Sequence, residues 1–267
     1  MEWYRRLWNN CKEQPLKCLN VGCGDRFHSS WVNIDFFSSN PSVLQHDLRQ
    51  GIPMETESFD IVYHSHVLEH FTPEQAEFFM QECRRVLRVG GILRVAVPDL
   101  EQICRLYLRA LENVEDGCQE WEKRYEWMTL ELLDQCVRTR SGGKMLEYLL
   151  EEPLPEERFV AKRLGGYFDV LQRNLPAWRS NQSENSRGPL MEDAAAIGQF
   201  RQAGEVHQWM YDRHSLRQLL ERHGFVKIKR QEAAQSYLAS WNEFQIDTDA
   251  DGRAYKADSL YMEGIRT

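Results

Sequence analysis

The chain lacks several features that would each have settled its class. It has no C-x-x-C pair, and its seven cysteines stand apart at 11, 18, 23, 83, 104, 118 and 136. An odd, scattered set excludes a disulfide framework and a zinc knuckle, so reduced thiols serving mostly as small buried hydrophobes are expected. No apolar run approaches the roughly 20 residues that cross a bilayer. The opening stretch MEWYRRLWNNCKEQ has no apolar signal core, so a cytoplasmic protein without a membrane span is expected. Basic charge is also short: 33 Lys and Arg face 41 Asp and Glu, for a formal net charge of −8. Such a surface repels phosphate backbones, and general nucleic-acid binding is not expected. No internal repeat is present.

What remains is a globular mixture of 267 residues, 42% hydrophobic and 28% charged, enough to bury a core. Short apolar runs read as strands at 16–21, 31–35, 59–63 and 92–97. A helix is predicted from Pro73 to Leu87, with Thr72 as N-cap, Pro73 in the first position and Glu74 at the positive end. Gly90-Gly91 is read as the stop of that unit. After Pro98 the pattern turns helical and acidic: residues 101–157 hold 14 acidic and 7 basic side chains. There Trp121, Tyr125, Met128 and Leu132 recur at helical spacing, as a packed face would. Residues 180–189 read as a polar loop. From His214 the α/β rhythm returns, with a helix at 215–223 and strands at 225–229 and 259–263. Strands alternating with helices predict βαβ units and a mainly parallel sheet. The expected core is 1–100 with 206–267, and the expected insertion is 101–205.

Two features carry chemistry. Gly22-Cys23-Gly24 follows the first strand, where glycines admit a ligand close to the backbone; a plain tight turn would use them too. Asp35 ends the next strand, where a carboxylate can accept both hydroxyl protons of a ribose, or lie solvated at a strand end. The pair does not make a dinucleotide fingerprint. The third glycine position is Phe27, and Asp35 follows Gly22 by only 13 residues. A nucleoside without a diphosphate fits better. His64, His66 and His70 cluster in sequence, but no Cys or carboxylate set completes a metal site, and none is expected.

At these residues the chain resembles the class I S-adenosylmethionine-dependent methyltransferases, specifically the type-11 methyltransferase domain. The likeness rests on Leu19-Asn20-Val21-Gly22-Cys23-Gly24-Asp25, Trp31-Val32-Asn33-Ile34-Asp35, Gln45-His46-Asp47-Leu48, Phe59-Asp60-Ile61-Val62, Val67-Leu68-Glu69-His70-Phe71 and Arg85-Val86-Leu87-Arg88-Val89-Gly90-Gly91. The spacing is similar to a bacterial subgroup with a shortened first helix.

The resemblance implies a Rossmann-like, doubly wound, mainly parallel sheet with a largely helical insertion after the fifth strand, and S-adenosylmethionine as cofactor. It implies that Gly22, Cys23 and Gly24 pass under the methionine portion and ribose, and that Asp35 holds the ribose hydroxyls. Phe36 would pack near the adenine, Asp47 and the Leu48 backbone would face its amino edge, and Ser65 and His66 would flank the methionine end. Asn20 stands where the family has an acidic residue toward the ammonium, and Arg26 stands in place of a third glycine. The subgroup's company implies a small-molecule or glycan-type acceptor methylated on O or N, under cover of the insertion. His207, between the insertion and the returning helix, is the candidate general base facing that acceptor, or a histidine that packs or caps the lid. Rival readings are a non-methylating or catalytically silent protein of the same fold, and an NAD-linked Rossmann enzyme.

Overall fold

The structure, a computed structural model, describes residues 15–185 and 193–267. The chain forms two compact units. One holds the chain up to Pro98, with Tyr211–Ile246 and Ser259–Thr267; the other holds Asp99–Met210 and Asp247–Asp258.

The first unit is built on a seven-stranded sheet: β1 (Cys18–Val21), β2 (Val32–Asp35), β3 (Val43–Gln45), β4 (Phe59–Ser65), β5 (Leu87–Pro98), β6 (Phe225–Gln231) and β7 (Ser259–Arg266). Their spatial order is β3-β2-β1-β4-β5-β7-β6. The first five pair in parallel, and β7 runs antiparallel between β5 and β6. This is the mainly parallel α/β sheet expected. The three-residue β3 escaped the sequence reading because it is too short to show a period.

The strand β5 begins at Leu87, earlier than the predicted 92. The ladder passes from Phe59↔Leu87 to Ile61↔Ile92, so four residues on β5 (88–91) stand against Asp60 on β4. Gly90 absorbs that irregularity at φ 81°, a conformation glycine adopts without steric cost. The glycine pair thus marks a bulge inside a strand, and the preceding helix α1 (Pro73–Val86) stops on its own at an extended Leu87. That helix starts as its sequence dictates. Thr72 Oγ1 accepts from the Gln75 N–H and Gln75 Oε1 accepts from the Thr72 N–H, a reciprocal cap.

Alternation along the strands separates two apolar clusters. Leu19, Val21, Val62, Leu93, Val95 and Met262 pack with Phe79, Met80 and Cys83 of α1 and with Leu216, Leu219 and Leu220 of α8 (Arg213–Arg222). The opposite parity, Cys18, Ile61 and Tyr63, packs with Trp31, Trp241 and Ile246. Among the described residues the β1–β2 and β2–β3 connections contain no helix. The aromatic segment around Trp241 and Phe244 covers this face instead, with Trp31 edge-on to Trp241 at 5.8 Å and to Phe244 at 5.0 Å.

One ion pair anchors that segment. Arg94 on β5 and Glu263 on β7 are both fully buried, with Nη1 2.9 Å from Oε1. The same guanidinium donates to the carbonyls of Glu232, Ala233 and Gln235 and lies over Trp241, 4.4 Å from its ring centroid. Glu263 in turn accepts from Gln231 Nε2, Ser236 Oγ and the Tyr237 N–H. Each charge is thus desolvated but saturated.

The second unit is helical: α2 (Leu100–Glu115), α3 (Glu122–Val137), α4 (Gly143–Leu149), α5 (Glu157–Leu164), α6 (Tyr167–Asn185) and α7 (Ala194–Gln202). Asp99 caps α2 by accepting from the Gln102 N–H. Trp127 and Met128 are fully buried with Ile103, Tyr148, Val160, Phe168 and Leu171. Trp127 Nε1 donates to Glu131, which pairs with Arg163 inside this core. Of the predicted stripe, Trp121 stands at the start of α3, under the guanidinium of Arg124. The loop predicted at 180–189 is corrected in its first part, because α6 continues helically through Asn185; residues 186–189 lie outside the described residues.

Removing one member of a buried pair strands the other charge, at a cost of about 3–5 kcal/mol. Glu263→Gln and Arg94→Met should each lower unfolding stability by that order in a denaturant titration. An unchanged midpoint in both would remove the pair from the account.

Candidate functional site

The glycine turn follows β1, and its backbone is fixed by β2. Gly22 N and Cys23 N donate to Ile34 O at 2.8 and 3.1 Å. Gly24 N donates to Asp35 Oδ2 at 2.7 Å, while Asp35 Oδ1 accepts from Phe37 N at 3.2 Å. Asp35 is only half-buried. Each of its carboxylate oxygens therefore keeps a lone pair for a further donor. Gly22 and Gly24 have φ of 70° and 52°, which a side chain would strain. They differ in surroundings. A Cβ on Gly22 would overlap Val67 Cγ2, whereas one on Gly24 would meet nothing within 4 Å. Gly22 is thus a close approach of two chain segments, and Gly24 borders open space.

Asn20 is buried beneath the turn. Its Nδ2 donates to Arg26 O at 3.2 Å, and its Oδ1 has no hydrogen-bond partner among the described residues. Arg26, at the family's third glycine, does not enter the turn. Its Nε and Nη2 donate to Ile246 O at 2.7 Å and Gln245 O at 2.8 Å. Cys23 is buried against the turn. Burial first, and the charge of Asp35 second, push its thiol up to about 12, so it stays protonated and is no nucleophile.

Past β2 and β3 lie the remaining donor-side candidates. Phe36 is exposed, and the Arg49 guanidinium stands 5.8 Å from its ring centroid. Asp47 accepts from the Arg49 N–H and pairs with Arg49 Nε and Nη2. Hydrogen bonding from Arg49 holds the Asp47 carboxyl below the usual range. The structure gives Asp47 an arginine partner and brings that arginine to Phe36. Leu48 turns its side chain into the core at the start of a short helical turn.

After β4 come Ser65, half-buried, and His66, at φ 54°. Non-glycine residues seldom sit there, and such strain of about 1–3 kcal/mol concentrates at functional sites. His66 Nδ1 lies 3.2 Å from Glu69 Oε1, and its Nε2 lies 2.8 Å from Ser259 Oγ. Glu69 and Ser259 were missed by the sequence reading. Glu69 was legible as the i+3 neighbour of His66, but Ser259 is 193 residues away and gave no signal. His64 is a core residue, edge-on to Phe79, with no hydrogen-bond partner on either ring nitrogen among the described residues. His207 belongs to the helical unit. It is 4% exposed, its N–H donates to Gln135 O, and its Nε2 is 2.7 Å from Gln135 Nε2. An amide nitrogen only donates, so the His207 Nε2 lone pair is occupied.

The turn, the carboxylate at the end of β2 and the buried Asn20 oxygen are groups that a nucleoside site in an α/β domain would use. Residues 28–95 match the family described as a methyltransferase domain. The ubiquinone biosynthesis O-methyltransferases of Rhizobium etli and Rhizobium rhizogenes are each 28% identical over 136 residues, 41% of this chain and 54% of their own length. The chain thus spans about half the length of these curated relatives. A solved SAM-dependent methyltransferase from Archaeoglobus fulgidus aligns over 99% of this chain and 93% of its own, at 9% identity and a TM-score of 0.40. Over residues 28–95 the chain is similar to the S-adenosylmethionine-dependent methyltransferases, and S-adenosylmethionine is the cofactor that this likeness implies. The residues fit that ligand: Asn20 Oδ1 is a buried acceptor lacking a donor, and Gly24 leaves clear the space a Cβ would fill.

The two glycines should separate fold from binding. Gly22→Ala should lose stability through its clash with Val67. Gly24→Ala should melt within a few degrees of the parent yet lose S-adenosylhomocysteine affinity in calorimetry, and equal behaviour of the two would contradict the division. Burial lowers the His64 pKa from 6.5 to about 4. Its neutral form is the folded one, so its contribution is full above pH 6.5 and lost as pH falls toward 4. His64→Leu should flatten stability over that window, as read by urea titrations at stepped pH.

Proposed function

We propose that the chain transfers the methyl group of S-adenosylmethionine to a small-molecule or glycan-type acceptor, at oxygen or nitrogen. The observation that carries the reading is the glycine turn tied by its own N–H to Asp35, above the buried acceptor of Asn20. In this reading Gly22, Cys23 and Gly24 pass under the methionine portion and ribose, Asp35 accepts from the ribose hydroxyls, and Asn20 Oδ1 accepts from the ammonium. Phe36 packs on the adenine, with Asp47 and the Leu48 backbone at its amino edge, and Ser65 lies at the methionine end. When bound, the donor supplies an electrophilic sulfonium methyl, and the protein's part is alignment and exclusion of water.

The family match ends at residue 95, before the helical unit begins. In this reading acceptor recognition belongs to the insertion of 101–205, and His207, just beyond it, is a residue positioned by Gln135. A cytoplasmic location belongs to the same proposal. Among these residues no helix is long and apolar enough to cross a membrane.

Asp35→Ala removes the proposed ribose acceptor. Hydrogen bonds to a charged group are worth roughly 1.5–3 kcal/mol, so affinity for S-adenosylhomocysteine should fall about tenfold or more in calorimetry. A folded Asp35→Ala protein with unchanged affinity would sink the assignment.

A further inference from the structure

Glu69, His66 and Ser259 form a line of side chains at the carboxyl edge of the sheet, beyond what donor binding requires. His66 leaves β4 with its N–H bonded to Ala96 O at 2.9 Å, which fixes where the ring emerges. Glu69 is fully buried and stands 3.2 Å from Nδ1. The contact does not have hydrogen-bond geometry, so Glu69 acts as a buried negative charge beside Nδ1, which favours a proton on that nitrogen. Nε2 then carries the lone pair, and the Ser259 hydroxyl donates to it across 2.8 Å. A base, its orienting carboxylate and a hydroxyl on its reactive nitrogen are the parts that general-base catalysis at an alcohol uses.

The position suits that chemistry. The residue after His66 is Val67, which packs so closely on Gly22 that a Cβ there would overlap it. His66 therefore adjoins the turn assigned to the methionine end of the donor, where the methyl group is presented. The charge of Glu69 also acts on His64 and Tyr211. Both are buried in the core, His64 with its pKa lowered and Tyr211 with its phenol pushed up, so neither competes for the proton.

We propose that His66 is the general base of the methyl transfer, oriented by Glu69 and steadied by Ser259, and that the acceptor is accordingly an alcohol or phenol. The inference rests on the donor site described above. In the step, the acceptor oxygen attacks the sulfonium methyl carbon. The C–O bond forms as the S–CH3 bond breaks with its electron pair passing to sulfur, which leaves as a neutral thioether. The hydroxyl proton moves to His66 Nε2, taking the place of the Ser259 hydrogen bond. The imidazolium is compensated by Glu69 and returns its proton to water. An amine or thiol acceptor can do without this base, so the machinery itself argues for oxygen.

Two measurements test this on the full chain. Nitrogen-15 histidine spectra of the wild type with S-adenosylhomocysteine should show His66 protonated on Nδ1 and bare at Nε2; a proton on Nε2 overturns the base role. Labelled S-adenosylmethionine is then offered with a phenol, an aniline and a thiophenol of one scaffold. His66→Gln should lose about 10²-fold in phenol turnover, with a much smaller loss in thiophenol turnover. Glu69→Gln should move the ascending limb of the pH–rate profile to lower pH, because the imidazolium loses its compensating charge. Phenol turnover by His66→Gln within about threefold of wild type overturns the proposal, as does a wild type that methylates only the aniline or thiophenol. Both of those outcomes leave the donor site standing. A wild type that binds no S-adenosylhomocysteine overturns the donor reading itself, and if none of the three compounds is turned over, the tautomer decides.

Discussion

The Arg94–Glu263 pair is the constraint on which the first unit depends. A parallel sheet is normally buried on both faces by its crossover helices. Here the described β1–β2 and β2–β3 connections supply none, and one face is left to aromatic side chains on a segment whose regular structure is one short 3-10 turn, Trp241–Phe244. Such a segment carries backbone carbonyls that must be satisfied away from water. Arg94 satisfies three of them at once and lies over Trp241 while Glu263 neutralises it. The charges are costly to bury, and what they secure is the order of residues 232–241.

That order reaches the candidate site through packing. The segment continues from Trp241 and Phe244 to Gln245 and Ile246, whose carbonyls are held by Arg26. The Arg26 carbonyl orients Asn20, which leaves Oδ1 as a buried acceptor under the glycine turn. The departure from a third glycine is therefore a change of anchorage. A flexible loop residue is replaced by one that ties the turn to the cover of the sheet. The departure from an acid at Asn20 is read the same way, since an amide can donate to one side and accept on the other, which a carboxylate cannot.

Much of this was legible in the sequence, and the physical reasons are specific. β1, β4 and the end of β5 are short apolar runs bounded by polar turns, and α1 announces its start with Thr72, Pro73 and Gln75. The beginning of β5 was not legible, because Gly90-Gly91 looks the same as a stop and as a bulge until the register is known. Arg94 sits within the apolar run Ile92–Val97 and drew no attention in the sequence. Only the return of β7, far along the chain, supplies the carboxylate that lets it be buried. Gly22, Gly24 and Asp35 were singled out by residue type, and the N–H bond that joins Gly24 to Asp35 came from the backbone geometry. His207 drew attention by its place after the insertion, and its contact with Gln135 was not legible in the sequence. His66 and Ser259 approach each other only through sheet topology.

The central claim is that the carboxyl edge around β1 and β2 binds an adenosyl sulfonium and not a dinucleotide. Isothermal titration of the intact protein with S-adenosylhomocysteine, and separately with NAD, tests it most directly. The account predicts saturable binding of S-adenosylhomocysteine at one site and no heat from NAD. Saturable NAD binding, or a folded protein that takes up no S-adenosylhomocysteine, would contradict it.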